Sequence, residues 1–129
     1  MQKAKTKSYG VIPILKNKDG FYILLVKNSK GGHWGLPKGT PEKDEESTNT
    51  AKRELFEETG IKDIDIKTEA IFEEKYNFEQ DNIIYSKTNT YYPGFVNEMT
   101  ESNQLDGIDE IRWVKIIDVV RKLVEWLSQ

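Results

Sequence analysis

The chain has no cysteine and only one histidine, His33. The first absence excludes disulfides, thiol nucleophiles, iron–sulfur clusters and thiolate-bound zinc. The second excludes a multi-histidine metal site and leaves a Ser-His-Asp arrangement a single ring to use. Any metal must therefore be held by oxygen or by His33. No run resembles a signal peptide or a membrane span: the basic start, MQKAKTKS, leads into a strand-like segment and not into an apolar helix. The expectation is a cytoplasmic protein with no membrane partner. A strong excess of either charge is missing too, with 22 acids against 19 bases. That slight acidic balance speaks against binding duplex DNA through its phosphates, yet permits an anionic substrate bridged by cations.

What is present suits one packed domain over residues 1–129. That length can bury a core without disulfide or metal staples. A composition 36% hydrophobic and 32% charged is that of an ordinary globule and not of a disordered chain. YGVIPIL and FYILLVKN are β-rich runs joined by KNKDG, whose Asp-Gly predicts a hairpin. The following SKGGHWGLPKGTPEKDE gathers four glycines and two prolines into the kind of long connection that carries function. From Glu45 to Thr59 the residues favour a helix, closed by Gly60 as a left-handed cap and started by Asp44 or Ser47. IDIKTEAIFEEKYNF and NIIYSKTNTYYPGFV then read as two antiparallel strands broken at EQDN, and EIRWV as a short strand. In KIIDVVRKLVEWLSQ, the helical spacing of Ile117, Val120, Val124 and Leu127 predicts a core-facing stripe with Asp118, Lys122 and Glu125 outside. The order of elements predicts an α+β fold, a mixed sheet flanked by helices.

RELFEETG, Arg53 to Gly60, places Glu54, Glu57 and Glu58 three and four residues apart, on one face of the expected helix. Thr48, Ala51, Leu55 and Thr59, with Phe56 at one margin, fall on the other side and can pack on a sheet. Most acidic runs are simply solvated. Like charges at this spacing nevertheless repel, and a hard divalent ion such as Mg²⁺ or Mn²⁺ would offset that while keeping positions open for phosphate oxygens and water. Arg53, four residues before Glu57, is either a surface ion pair or a rigid fork that orients a ligating carboxylate, and spacing alone does not choose.

From Gly39 to Ile61, GTPEKDEESTNTAKRELFEETGI resembles the signature box of the Nudix hydrolases at every fixed position. The resemblance implies the Nudix fold, an α/β/α sandwich with a mixed β-sheet between helices, over nearly the whole chain. It implies Mg²⁺-dependent (or Mn²⁺-dependent) hydrolysis of a nucleoside diphosphate linked to another group, with Glu54, Glu57, Glu58 and the Gly39 carbonyl as metal ligands. Arg53 and Glu45 would hold helix and loop in register, Gly60 would end the helix, and Glu57 or Glu54 would serve as the base for the attacking water. HWGLPKG ahead of the box is similar to the dinucleoside tetraphosphate hydrolases, which implies phosphate contacts from His33 and Lys38. FEEKYNF and YSKTNTYY resemble strands that supply a lysine to phosphate and an aromatic to the base, matched here by Lys87 and Tyr76, with Tyr91 a further aromatic candidate. Trp34 is expected to pack within its loop.

One departure concerns the loop before RW, where many relatives carry a further metal-binding glutamate; Gly107 falls there, and Asp106, Asp109 or Glu110 could substitute. The leading expectation is asymmetric hydrolysis of diadenosine tetraphosphate to ATP and AMP. Removal of pyrophosphate from RNA 5′-triphosphate ends is the rival, favoured by a basic groove for single-stranded RNA. Nucleoside triphosphate or sugar-nucleotide pyrophosphatase activity stays open, as does a module that binds a nucleotide without cutting it. Oligomeric state and the phosphorus attacked have no signature in the chain.

Overall fold

The computed structural model describes residues 2–99 and 107–128, without the side chains of 119, 123 and 126. The chain runs β1 (Gln2–Asn17), β2 (Gly20–Asn28), β3 (Trp34–Gly35), β4 (Lys38–Gly39), α1 (Ser47–Thr59), β5 (Asp65–Ile66), β6 (Phe72–Gln80), β7 (Ile83–Val96), β8 (Ile108–Lys115) and α2 (Ile116–Leu127). The β1–β2 hairpin turns at Lys18–Asp19, with Asn17 opposite Gly20. Gly20 has φ 128°, a conformation only glycine adopts readily. β1 is longer than its apolar run. Its basic start is strand as well, because it pairs parallel to β7 from Gln2 opposite Ile83 to Leu15 opposite Val96.

That parallel pair makes the eight-stranded sheet mixed. β2 flanks β1 on one side and carries β8 beyond it, while β6 and β5 pair successively with the far edge of β7. The β6–β7 turn falls at Asp81 and Asn82, both at positive φ, the backbone that a tight two-residue hairpin needs. Strand alternation sorts the side chains. Val11 and Leu15 of β1, Leu24 and Val26 of β2, and Tyr92 and Val96 of β7 form the core with Ala51 and Leu55 of α1. Removing such large apolar side chains from water supplies most of what holds the helix on the sheet.

α1 begins differently from expectation. Its N-cap is Glu46, in extended conformation and without a side-chain cap bond. Asp44 sits at φ 61° in the preceding loop, and Ser47 Oγ is hydrogen-bonded to the Tyr92 hydroxyl at 2.9 Å, so neither residue caps the helix. The C-terminus does end on Gly60, at φ 80°, whose N–H donates to the Phe56 carbonyl at 2.8 Å. Phe56 is exposed under the Lys62 ammonium.

α2 departs further. Phe21, on the sheet face away from α1, lines a hollow with Ile116, Ile117 and Val120, which places α2 opposite α1. Yet Ile117, Val120, Val124 and Leu127 are all exposed, Leu127 by 67%, so the expected core stripe is not core. The helix also carries apolar residues at 116, 119, 123 and 126. Helical spacing therefore marks two possible inward stripes and cannot say which one meets the sheet.

Candidate active site

Arg53 organises the acidic end of the site. Its Nε and Nη2 donate to the two oxygens of Glu45, at 2.8 and 3.0 Å, in a bidentate pair. Nη2 also reaches the Thr40 carbonyl at 3.0 Å, which ties the loop before α1 to the helix. Glu45 further accepts from Thr50 Oγ1 at 2.6 Å and from Glu42 N–H at 3.0 Å. These donors, Arg53 foremost, hold the Glu45 carboxyl down at about 2. Arg53 Nη1 turns to the other acids, donating to Glu54 at 3.0 Å and to both Glu57 oxygens at 3.2 Å.

The three box glutamates do not share one environment. Glu57 is the most open, with a side chain 39% exposed, whereas Glu58 is buried. Glu58 leans back to the sheet, where its Oε2 accepts the Lys38 backbone N–H at 3.0 Å. Burial, and next the neighbouring Glu54 charge, push the Glu58 carboxyl up to about 8. Glu54 is raised as well, by burial first, although Arg53 pulls the other way. The Glu54 carboxyl lies flush against Gly39, where any Cβ would collide with it.

On the other face of the sheet, a cavity of about 670 Å³ opens between β2, β3, β4, β6 and β7. Ile12 and Leu25 form part of its floor, and His33, Trp34, Lys38, Tyr76 and Tyr91 line it. Strand register accounts for the sorting. Tyr91, Asn89 and Lys87 alternate along β7 on this face, opposite Phe72, Glu74 and Tyr76 of β6. Lys87 is half-buried beside Lys38, and its ammonium is weakened by burial and by that second positive charge. Burial, followed by Glu74, raises the Tyr91 hydroxyl. Tyr92, one residue on, points to the core instead. Trp34 does more than pack its loop, since the Arg112 guanidinium sits 4.6 Å from its ring centroid.

Of the residues proposed to replace the missing glutamate, Asp109 and Glu110 each have a partner. Ser29 Oγ donates to Asp109 at 2.7 Å, Arg112 reaches Glu110 at 3.4 Å, and Gly107 is a turn residue at φ 74°. Asp106 lies outside the described residues. Two cleft residues escaped the sequence reading. Asn89 Nδ2 donates to Glu74 Oε1 at 2.8 Å, and Asn89 is 1% exposed. The signal was there: Asn89 stands midway between Lys87 and Tyr91 in a period of two.

As they stand, no three His, Cys, Asp or Glu side chains among the described residues are grouped to hold a metal ion. Arg53 holds both Glu57 and Glu54, while Glu58 lies against Glu54 on the buried side. Two packed carboxyls, both shifted toward the proton-bound form, and a glycine that leaves room for one of them suit a hard cation in kind. The donor set fits once Glu57 is shared between Arg53 and the ion.

Residues 4–128 match the NUDIX domain. The RNA pyrophosphohydrolase of Bartonella henselae is 38% identical over 91 residues, 70% of this chain and 52% of that protein. The chain thus spans about half the length of that relative. The m7GpppN-mRNA hydrolase dcap-2 of Caenorhabditis elegans is 32% identical over 120 residues, 91% of this chain but 14% of that one. Among solved structures, the C. elegans Ap4A hydrolase binary complex superposes with a TM-score of 0.74 at 21% identity, covering 95% of this chain and 98% of the other, a likeness of fold. No helix among the described residues is long and apolar enough to cross a membrane. With a domain match over almost its whole length and the sandwich fold to go with it, this chain belongs to the Nudix family.

Proposed function

We propose that this protein is a divalent-metal-dependent hydrolase of nucleoside polyphosphates whose substrate is a dinucleoside tetraphosphate such as diadenosine tetraphosphate, cut to ATP and AMP. The observation that carries this is the pair Lys38 and Lys87, two half-buried cations close enough that the Lys38 charge weakens the Lys87 ammonium, with Lys38 bonded through its backbone to Glu58 of α1. Like charges held together out of water are unfavourable unless an anion joins them. A phosphate chain is the anion the fold family handles.

Glu54, Glu57, Glu58 and the Gly39 carbonyl would hold Mg²⁺ or Mn²⁺. Bound there, the ion would supply charge neutralisation for the polyphosphate and a lowered pKa for a coordinated water. The protein's own groups do the rest. Lys38 and Lys87 grip the phosphate oxygens, and His33 stands at the cleft wall within the same hollow. Tyr76, Phe72 and Tyr91 offer apolar faces to a base. Glu57 or Glu54 would take a proton from water; the greater openness of Glu57 and its bonds to Arg53 support Glu57.

A second reading is removal of pyrophosphate from RNA 5′ ends, favoured by the likeness in sequence to the B. henselae enzyme. One experiment separates them. The purified chain with Mg²⁺ or Mn²⁺ is offered diadenosine tetraphosphate and a 5′-triphosphorylated RNA, and products are resolved by chromatography. ATP and AMP in equal amounts support the leading proposal; preferential release of pyrophosphate from RNA moves the assignment to the second. Intact substrates in both arms, from folded protein, would sink both.

A further inference from the structure

The surroundings of Lys87 are incomplete as they stand. Among the described residues, two buried side-chain polar atoms lack a hydrogen-bond partner, Thr6 Oγ1 and Asn89 Oδ1. Both belong to one strip of the sheet: Thr6 stands opposite Lys87, and Asn89 lies two residues further along β7. The Asn89 amide cannot be turned over to relieve this, because Glu74 only accepts and so fixes Nδ2 toward itself. An ammonium and two buried polar atoms with unused hydrogen-bonding capacity along one strip are chemistry that suits a polar ligand.

Beyond Lys87, toward the hairpin tip, the same face carries three rings. Phe78 and Tyr85 are directly opposite in the register, with centroids 4.9 Å apart and planes 13° from parallel. Tyr76 follows, 6.1 Å from Phe78 and tilted by 37°. Beside them on β1, the residues opposite Tyr85 and Lys87 are Ala4 and Thr6, both with small side chains. α1 packs on the other face of the sheet, and α2 packs on β2 and β8, so neither helix covers this one. Cross-strand ring pairs steady a hairpin by themselves. That role does not require a row of small neighbours next to a buried cation.

The strip also has an order. Glu58 meets Lys38 at one end and acts electrostatically on Tyr91. Lys87 comes next, and the rings come last. A phosphate chain with its reacting phosphorus near the acids and its oxygens on Lys38 and Lys87 sends its far end toward Phe78 and Tyr85. We propose that Phe78 and Tyr85 form a stacking platform for a second nucleobase of the same substrate, tethered beyond the phosphates that Lys38 and Lys87 hold. The inference rests on the polyphosphate reading above and adds to it the residues that hold the second base. The second base can come from the far nucleoside of a dinucleoside polyphosphate or from the next nucleotide of an RNA 5′ end.

The test is a Phe78→Leu/Tyr85→Leu double variant, which keeps bulk but removes both π faces; circular dichroism and thermal unfolding verify that it is folded. Equilibrium binding with Mg²⁺ uses methylene-bridged, uncleavable analogues of diadenosine tetraphosphate and adenosine 5′-tetraphosphate, and of 5′-triphosphorylated ApG and ATP. The wild type should bind one or both two-base ligands about tenfold more tightly than the matching one-base ligand, and the variant should lose that preference alone. The arm in which the preference appears identifies the source of the second base. Equal binding of one- and two-base ligands by the wild type overturns the platform, as does an equal loss for both in the variant or no binding at all. A parallel turnover assay with cleavable substrates judges the hydrolase reading separately: binding with the two-base preference but without turnover would sink that reading and leave the platform standing.

Discussion

Glu58 and Lys38 are joined side chain to main chain: the buried carboxylate of the helix accepts the N–H of the residue that presents a cation to the cleft. The bond fastens the strand β4 to α1, so the acids and the lysine of β4 keep a fixed relation. It also places a carboxyl where losing its proton is costly.

The first prediction follows from that cost. The Glu58 carboxyl is raised by burial from 4.5 to about 8 in the folded protein. Between those values the folded state keeps a proton that the unfolded chain has released, so metal-free stability falls as pH rises through this window. Glu54 shifts in the same direction. On the proposed function a divalent ion would replace the proton, and its stabilisation is therefore expected to be larger at pH 8 than at pH 6. Thermal unfolding with and without Mg²⁺ at the two pH values checks this. Glu58→Gln, which keeps the acceptor for Lys38, should flatten the metal-free pH dependence and weaken the response to Mg²⁺.

Arg53 gives a second prediction, because lysine carries its charge but not its fork. Arg53→Lys cannot hold both Glu45 oxygens, Thr40, Glu54 and Glu57 together. A loss of about 1–3 kcal/mol in chemical denaturation is expected, the usual range for a severed charged hydrogen bond. Hydrolysis should fall more steeply than stability, since the loop bearing Gly39 and the helix bearing the acids come apart at this residue. A variant with unchanged stability and full activity would show that the ion pair is a surface ornament after all.

Removing a cleft lysine should act in opposite directions on folding and on catalysis. Lys38→Met relieves Lys87 of its neighbour's charge, so the Lys87 ammonium should titrate closer to the ordinary lysine value and the free protein should be slightly more stable. On the proposed function the same change would remove a charge-assisted contact to phosphate, and kcat/KM should drop about 10- to 100-fold. Titration of Lys87 followed by NMR, beside steady-state kinetics, reads both effects. Equal losses of stability and activity would instead mean that Lys38 is structural.

Much of this was legible in the chain, for identifiable reasons. The spacing of Arg53, Glu54, Glu57 and Glu58 is a helical code that gathers the acids beside Arg53 once the helix forms, whereas Glu45, in the loop before the helix, was matched to Arg53 only through the family resemblance. Gly60 needed no context, because a left-handed cap is a local requirement. Long-range packing was less visible. That Glu58 would be buried and Glu57 open depends on where β4 crosses the sheet, which helical spacing does not encode. The start of α1 was misread because Ser47 spends its hydroxyl on Tyr92, a residue 45 positions away. Asn89 carried only the period-two signal, midway between Lys87 and Tyr91, and its burial depends on packing that the period does not encode.

α2 supplies the last prediction. Its apolar residues at 117, 120, 124 and 127 satisfied the period of a core stripe, yet the structure leaves them in water. Val124→Glu should therefore change stability by no more than about 0.5 kcal/mol, as exposed substitutions do. Leu55→Ala, which empties a position with no exposure beneath α1, should cost about 2–5 kcal/mol. Denaturant titration of the two variants side by side makes the comparison. A loss at Val124 approaching that at Leu55 would mean that the stripe is covered in solution and that the sequence pattern, not the exposed arrangement, describes the helix.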